Sequence, residues 1–179
     1  MKRYIVLLRG INVGGHRRIA MADLRALLTR LGYESPLTHL QSGNVVLSST
    51  QSAKQVQQTI ERGLAAEFGD GIEVFVRTRK ELADVIARDP LGKIADNPSR
   101  YFVTFLSGKP AAAAVQAAAA ADVGGEQFVV AGPVIYTWSA TGLHDSKLAK
   151  LLSEKRLGVR ATARNWNTVV KLLELADEG

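Results

Sequence analysis

The amino-acid sequence predicts an α+β protein made of two successive βαββαβ units followed by a C-terminal helix. Two segments, residues 2–9 and 100–106, are apolar on both faces, a pattern typical of central strands. Each is followed by a helical periodicity, two short strands around a turn, a second helical periodicity and a last strand. The same order of elements therefore occurs twice, although the two halves show no convincing sequence repeat.

The periodicities of the first half are clear. The alternation of residues 2–9 leaves both faces apolar, which indicates a strand covered on both sides. Apolar side chains at helical spacing indicate two helices, and Gly32 is a suitable stop for the first of them. Ser42-Gly43 separates two short strands and indicates a hairpin. The predicted elements are strand 2–9, helix 21–31, strands 37–41 and 44–48, helix 52–68 and strand 72–77.

The second half begins after a linking helix. Thr78 is a suitable N-cap for that helix, and Pro110 is tolerated in the first turn of the alanine-rich helix that follows the next strand. Gly132-Pro133 is a turn between two strands, and Asp145 is a suitable N-cap for a further helix. The predicted elements are helix 79–88, strand 100–106, helix 110–121, strands 127–130 and 134–138, helix 145–155, strand 159–163 and helix 165–176.

This order of elements is that of the ferredoxin-like fold, so we predict two tandem ferredoxin-like units plus a C-terminal helix. The predicted boundaries are 1–78 for the first unit, 79–99 for a linking helix and loop, and 100–179 for the second unit with the C-terminal helix. The sheet of such a unit is antiparallel, with strand order 4-1-3-2. The loop after the first strand and the turn between the second and third strands therefore lie at the same rim of the sheet.

Composition limits the class of protein. The chain has 179 residues, of which 46% are hydrophobic and 22% charged, as in a folded globular protein. The lack of cysteine excludes disulfides, thiolate metal sites and a cysteine nucleophile. The alanine-rich run 111–121 is too short and too weakly apolar to span a bilayer, and residues 1–10 lack the apolar stretch of a secretory signal. We therefore predict a cytoplasmic protein without a membrane partner.

The positive charge is unevenly distributed. The formal net charge is +6, and residues 1–50 carry seven basic and two acidic side chains. Residues 146–166 carry six basic side chains and one acidic side chain. Two basic stretches of this kind attract anionic partners such as phosphates or nucleic acid. Arginine-rich helix faces exposed to solvent explain the same distribution, so both interpretations stay open.

The loop after the first strand contains the most informative motif. Gly10 and Gly15 have the spacing of a phosphate-binding loop, but His16 and Arg17 stand where that motif has its lysine and hydroxyl. Backbone N–H groups of residues 12–15 can still hold an anion ahead of the next helix. A glycine turn that only redirects the chain from strand to helix is the alternative interpretation.

Two further polar segments accompany this loop. The turn 41–44 lies at the same rim by topology, and the amide of Asn12 in the loop can both donate and accept. In residues 162–168, Arg164 beside a helix N-terminus suits an anion, while Asn165 is a suitable N-cap. We predict that the three segments meet around one cleft. Its predicted ligand-binding residues are Arg9, Gly10, Asn12, Gly14, Gly15, Gln41, Ser42, Asn44, Arg164, Asn165 and Asn167.

Patterns for catalysis or metal binding are weak. The three histidines, His16, His39 and His144, do not pair at metal-ligand spacing, so we predict neither a metal site nor a cofactor. The glycine loops hold no paired carboxylates, so no general base is assigned. A Ser-His-Asp triad stays an open alternative, because its members need not be adjacent in sequence. Asp145 and Ser146 adjoin His144, although a capping role explains Asp145.

These segments resemble a known family. The chain is similar to the bacterial domain-of-unknown-function family 1697 in the motifs LLRGINVGG, QSGNV and TxRNWNT, at residues 7–15, 41–45 and 162–168. The resemblance extends to Met21, Leu24, Gly32, Thr38, residues 103–106 and Leu172. It spans nearly the whole chain and implies ferredoxin-like repeats, but no activity. The residues that mark the family lie in loops and turns rather than in core positions, which supports a ligand site as well as a purely structural role.

The sequence therefore favours an anion-binding module whose ligand is a nucleotide, a nucleic acid or a phosphorylated small molecule. An enzyme, a transferase or hydrolase with a polar Asn/Ser/Arg site, is one alternative. It would show a deep pocket with an acid or histidine of perturbed pKa. A structural or protein-interaction domain is another. It would show a large exposed apolar patch and no pocket at the glycine-containing rim.

Overall fold

The structure, a computed structural model, describes residues 1–15, 17–143 and 145–178. It is an α+β fold with two four-stranded antiparallel sheets. Contacts divide the chain into two compact units. The first contains Met1–Asp84 and the chain from Lys171 onward, and the second contains Val85–Val170.

The end of the chain groups with the first unit, whereas the predicted boundaries place all of residues 100–179 in the second. The guanidinium of Arg3 in the first strand donates to the carbonyl oxygens of Leu175 and Ala176. Arg79 forms an ion pair with Asp177, with 2.7 Å between Nε and Oδ1. These contacts join residues far apart in sequence, which is why no local pattern indicated them.

The first sheet has its most buried strand at the position that the sequence predicts. The strand order is β2-β3-β1-β4, so that β1 lies between β3 and β4. All three pairings are antiparallel. The elements are β1 (Lys2–Arg9), α1 (Met21–Arg30), β2 (Leu37–His39), β3 (Asn44–Ser49), α2 (Ala53–Phe68), β4 (Glu73–Thr78) and α3 (Arg79–Arg88), which runs into the second unit.

Both faces of β1 are buried, as its apolar alternation predicts. Tyr4, Val6 and Leu8 belong to the core cluster that α1 and α2 cover. Ile5 and Leu7 alternate with them and are fully buried on the other face. The helices fill the cluster with side chains at helical spacing, namely Leu24, Leu27 and Leu28 from α1 and Val56, Ile60 and Leu64 from α2.

The second sheet repeats this arrangement with shorter helices. Its strand order is β6-β7-β5-β8, and all pairings are antiparallel. One turn of 3₁₀ helix, Pro98–Arg100, precedes the central strand β5. The elements are β5 (Tyr101–Leu106), α4 (Ala112–Ala120), β6 (Gln127–Ala131), β7 (Val134–Trp138), α5 (Lys147–Leu151), α6 (Glu154–Leu157), β8 (Ala161–Asn165) and α7 (Trp166–Asp177).

The helix predicted over 145–155 is wrong as a single element. The chain forms α5 and α6 instead, and Ser153 between them has the extended backbone of an N-cap residue. Ser146, not Asp145, caps α5, because its Oγ accepts from the backbone N–H of Ala149 at 2.9 Å. Serine competes for backbone groups inside a helix and favours caps, which explains the interruption. His144, considered for a triad, and His16 lie outside the described residues.

Helix α2 begins at a complete capping box. The Oγ of Ser52 accepts from the backbone N–H of Gln55, whose side-chain Oε1 accepts from the backbone N–H of Ser52. Two N–H groups that a helix start leaves without partners are thereby satisfied.

In the described part of the chain, no helix is long enough and apolar enough to cross a bilayer.

Replacement of the capping serine tests this start of α2. We expect Ser52→Ala to lower the free energy of unfolding by about 1 kcal/mol, because the backbone N–H of Gln55 loses its acceptor. The exposed residue Gln58 in the middle of α2 provides the control, and Gln58→Ala should change stability by less than about 0.5 kcal/mol. Urea unfolding followed by circular dichroism measures both, and equal effects of the two variants would contradict the capping role.

Candidate functional site

The loop between β1 and α1 has an unusual backbone. Among its non-glycine residues, Asn12 has φ +54° and Arg17 has φ +48°. Asparagine reaches the left-handed region more readily than most residues, because its short polar side chain can hydrogen-bond locally. The loop folds back on itself, and the backbone N–H of Asn12 donates to the carbonyl of Arg17 at 3.0 Å. The glycines with positive φ in this loop are Gly10, Gly14 and Gly15.

The amide of Asn12 joins this loop to the β2–β3 turn. Its Nδ2 donates to the carbonyl of Ile19 at 2.9 Å and to the carbonyl of Gln41 at 2.6 Å. Its Oδ1 accepts from the backbone N–H of Ile19 at 2.8 Å. Since an asparagine amide has two N–H donors, both are used within the protein. Asn12 therefore holds the site together, in contrast to the ligand-reading donor that the sequence suggests.

The β2–β3 turn reaches the rim through a close contact at Gly43. The carbonyl of Gly43 accepts from the backbone N–H of Leu8 at 2.8 Å. A Cβ atom at Gly43, where φ is +78°, would lie 2.7 Å from Cβ of Leu8 and 2.8 Å from Cδ1 of Ile11. Only glycine fits this position without a shift of its neighbours. The sequence predicts the turn but not this contact, because Leu8 and Ile11 are remote from Gly43 in sequence.

Ser42 and Asn44 in the same turn support its shape. Asn44 is fully buried, and its Nδ2 donates to Oγ of Ser42 and to the carbonyl of His39, both at 2.9 Å. Burial lowers the pKa of His39, and the positive charge of Lys171 lowers it further. The imidazole is therefore neutral at pH 7 and adds no positive charge for an anion.

The loop and the turn enclose a cleft of about 420 Å³. The exposed side chain of Arg18 supplies its positive charge. Ala20 is the N-cap residue of α1 and makes no side-chain capping hydrogen bond, so the first N–H groups of α1 lack that partner at this end of the cleft. Asp23 in the first turn of α1 partly offsets the positive end of the helix. The described lining is Asn12, Gly15, Arg18, Ile19, Ala20 and Gln41.

The other arginines near the loop have contacts with β4 or the segment before it. Arg9 forms an ion pair with Glu73, with 2.5 Å between Nη1 and Oε2. The guanidinium of Arg17 lies over Gly71, where an added Cβ would be 3.0 Å from Nη2. Arg18 is therefore the arginine of this loop that lines the cleft.

The third predicted segment belongs to the second unit. The guanidinium of Arg164 is buried, and its Nη1 donates at 2.8 Å both to Oγ1 of Thr162 and to the carbonyl of Ala163. Burial lowers the pKa of Arg164 to about 10, so the side chain is protonated at pH 7. Oδ1 of Asn165 accepts from the backbone N–H of Thr168 at 3.0 Å, which confirms the predicted N-cap, and Asn167 is exposed. The single cleft predicted for all three segments stays a prediction.

A second cavity, which no sequence pattern indicated, lies within the second unit and has a volume of about 210 Å³. Its lining includes Glu126, Glu154 and two threonines, Thr104 and Thr137, on strands that are otherwise largely apolar. Those threonines are the only hint that the sequence gives. Residues that the structure describes form no group of three or more His, Cys, Asp or Glu side chains suited to a metal ion.

Fold and loop together define an α+β protein with two four-stranded antiparallel sheets and a glycine-containing cleft in its first unit. The chain belongs to the family described as Protein of unknown function (DUF1697), which it matches over residues 1–136. This confirms the family that the motifs indicate. The match includes both segments of the cleft and ends before residues 162–168.

One solved structure extends the likeness in fold to almost the whole chain. The conserved bacterial protein SP0830 from Streptococcus pneumoniae superposes with a TM-score of 0.79 at 23% identity, over 98% of each chain. At this identity the likeness concerns the fold. A protein from Galdieria sulphuraria described as unknown aligns over 92% of this chain and 98% of its own, at 15% identity and a TM-score of 0.28. Among curated protein sequences, none matches.

Two glycine variants separate the effect of steric contact at Gly43 from that of backbone strain alone. We expect Gly43→Ala to lower the free energy of unfolding by about 3 kcal/mol, because it combines a positive φ with overpacking against Leu8 and Ile11. Gly32→Ala is the matched control, since φ there is +91° and an added Cβ meets nothing within 4 Å. It should cost about 1 kcal/mol, the strain alone. Urea unfolding decides, and equal losses would refute the steric requirement at Gly43.

Proposed function

We propose that this protein is an anion-binding module that binds a phosphate-bearing ligand in the cleft of its first unit. The single observation that carries this proposal is the cleft of about 420 Å³ in which Arg18 lies beside the uncapped start of α1. A helix N-terminus carries a partial positive charge and N–H donors without intrahelical partners. A cationic side chain at the same place adds a charge-assisted donor for phosphate oxygens.

The size of the cleft favours a small ligand. Binding pockets for small molecules have volumes of roughly 300–1,000 Å³, a range that includes this cleft. Of the three ligands that the sequence suggests, a mononucleotide or a phosphorylated small molecule therefore fits better than a nucleic acid. The protein-interaction alternative expects no pocket at this rim, and the cleft counts against it.

We propose further that each unit is ferredoxin-like, so that the chain holds two of them in tandem. The element order βαββαβ and the matching strand orders β2-β3-β1-β4 and β6-β7-β5-β8 support this. The interruption between α5 and α6 is the main departure in the second unit.

The cysteine-free composition supports a cytoplasmic location.

Arg18→Gln tests the proposed anion site. Thermal unfolding is measured with AMP and with inorganic phosphate as probes. At 100 times the Kd, we expect the wild-type Tm to rise by about 5–10 °C. Arg18→Gln should weaken binding at least about tenfold, through the loss of one charge-assisted contact. The control is Arg62→Gln, which changes an exposed arginine of α2. A wild-type protein without any response, or an Arg18→Gln variant with the full response, would overturn the proposal.

Nucleic acid is tested separately by filter binding to mixed RNA and DNA at low salt. Retention that falls by about 0.9 log units per contacted phosphate for each log unit of salt would indicate duplex DNA as the ligand. Absence of retention, together with a response to AMP, would leave the small-molecule form of the proposal standing.

The contribution of Arg164, Asn165 and Asn167 to the same ligand is tested with a conservative variant. If Arg164 contributes a bidentate donor, Arg164→Lys should lower the affinity for AMP, because lysine lacks the planar pair of N–H groups. Arg156→Lys, at an exposed position of α6, is the control. An Arg164→Lys variant that folds and binds AMP as the wild type does would remove this segment from the site.

A further inference from the structure

The second unit contains a cavity between its sheet and helix α5. Its volume is about 210 Å³. Side chains on β5, β7 and β8 form one side, and side chains of α5 form the other. Three of the lining residues are alanines, and small side chains leave space that larger ones would fill. The two sides contain Thr104, Ile135, Thr137, Ala161 and Ala163 on the strands, and Leu148 and Ala149 on the helix.

Glu126 brings a carboxylate to this cavity. Its Oε2 accepts from the backbone N–H of Leu148 at 3.0 Å. Its Oε1 is buried and has no hydrogen-bond partner among the residues that the structure describes. A buried acceptor without a donor loses its hydration and gains nothing in exchange. Oε1 is therefore the natural partner for a donor that a ligand provides.

The cavity also contains a second carboxylate and several hydroxyls. Glu154 is a second carboxylate in the lining, and its Oε1 accepts from the backbone N–H of Ala161 at 2.5 Å. Hydroxyls that can donate or accept come from Thr104, Thr137, Ser139, Ser146 and Ser153. Lysine and arginine do not occur among the described residues that line it. Oε1 of Glu126 therefore remains the polar atom of this cavity that a donor group of a ligand would match.

We propose that this cavity binds a small primary ammonium compound with a short aliphatic body. An ammonium group has three N–H donors, which suit Oε1 of Glu126 and neighbouring hydroxyls. The aliphatic body would contact the apolar side chains of Ile135, Leu148 and Leu152. A cavity of about 150 Å³ is known to hold benzene, so the present volume admits a molecule of about six to eight heavy atoms.

This proposal is independent of the anion site, since the two sites lie in different units and take ligands of opposite charge. A divalent metal ion is a poorer match, because no group of three metal-ligating side chains occurs among the described residues. Hydroxyls and an apolar lining suit an organic cation better than a strongly hydrated inorganic one.

Butylammonium chloride and 1-butanol are the probes, because they have the same aliphatic chain and differ in charge. Isothermal titration and thermal unfolding are measured at pH 7.5, with sodium chloride added to equalise ionic strength. We expect the wild-type protein to bind butylammonium saturably and at least about tenfold more tightly than butanol, through one charge-assisted contact. Glu126→Gln keeps the shape of the side chain and should abolish this preference. Glu34→Gln, at an exposed position, should leave it unchanged.

Nuclear Overhauser effects in the wild-type protein locate the probe without relying on any variant. We expect contacts between the methylene protons of butylammonium and the methyl groups of Ile135 and Leu152. Contacts at other methyl groups only would overturn the proposal. So would equal affinity for the two probes, no binding of butylammonium, or an unchanged preference in folded Glu126→Gln.

Discussion

The close approach of the β2–β3 turn to β1 is the constraint on which the first unit depends. The backbone N–H of Leu8 donates to the carbonyl of Gly43, and no side chain fits between that turn and Ile11. The turn lies near enough for Nδ2 of Asn12 to reach the carbonyl of Gln41. The cleft therefore exists because two backbone segments pack without an intervening side chain. A larger residue at Gly43 would displace the turn and open the wall of the cleft.

The arginines differ in burial and in ion pairing, which the sequence alone does not reveal. Arg9 is paired with Glu73, and Arg164 is buried with its Nη1 bound to neighbouring oxygens. Arg18 is exposed and lines the cleft. Net charge thus determines how strongly anions are attracted at a distance. Contacts with neighbouring oxygens decide which guanidinium can present its N–H groups to a ligand. The neutral imidazole of His39 follows the same rule, because burial and a nearby ammonium both lower its pKa.

The helix-facing sides of the two sheets are packed differently. Large aliphatic side chains of α1 and α2 cover the helix-facing side of the first sheet. Leu24 and Ile60 among them are fully buried. On the corresponding strands of the second unit, Thr104, Thr137 and Ala163 leave the cavity that Glu126 and Glu154 line. Among the described residues, Oε1 of Glu126 is buried there without a hydrogen-bond partner, an arrangement that lowers stability unless a donor is supplied.

Local patterns in the sequence determined the strands, most of the helices and their order. The alternation of β1 gave its bounds, Lys2–Arg9, because neighbouring residues alone decide which face a strand side chain occupies. Thr78 was likewise predicted to cap α3, and its Oγ1 accepts from the backbone N–H of Glu81. The break between α5 and α6 escaped prediction, since Ser153 interrupts a pattern whose apolar spacing continues.

Tertiary structure decided the hydrogen-bond partners of the polar residues. The sequence shows that Asn12 has an amide, but its partner Gln41 is 29 residues away and only folding brings the two together. The same holds for Glu126, whose contact with Leu148 spans 22 residues. Hydrogen-bond partners and cavity volumes depend on distances between elements, and those distances are set by side chains remote in sequence. The sequence alone thus determined the local elements and the chemistry of each side chain, and the packing of the elements decided which side chains line the cleft and the cavity.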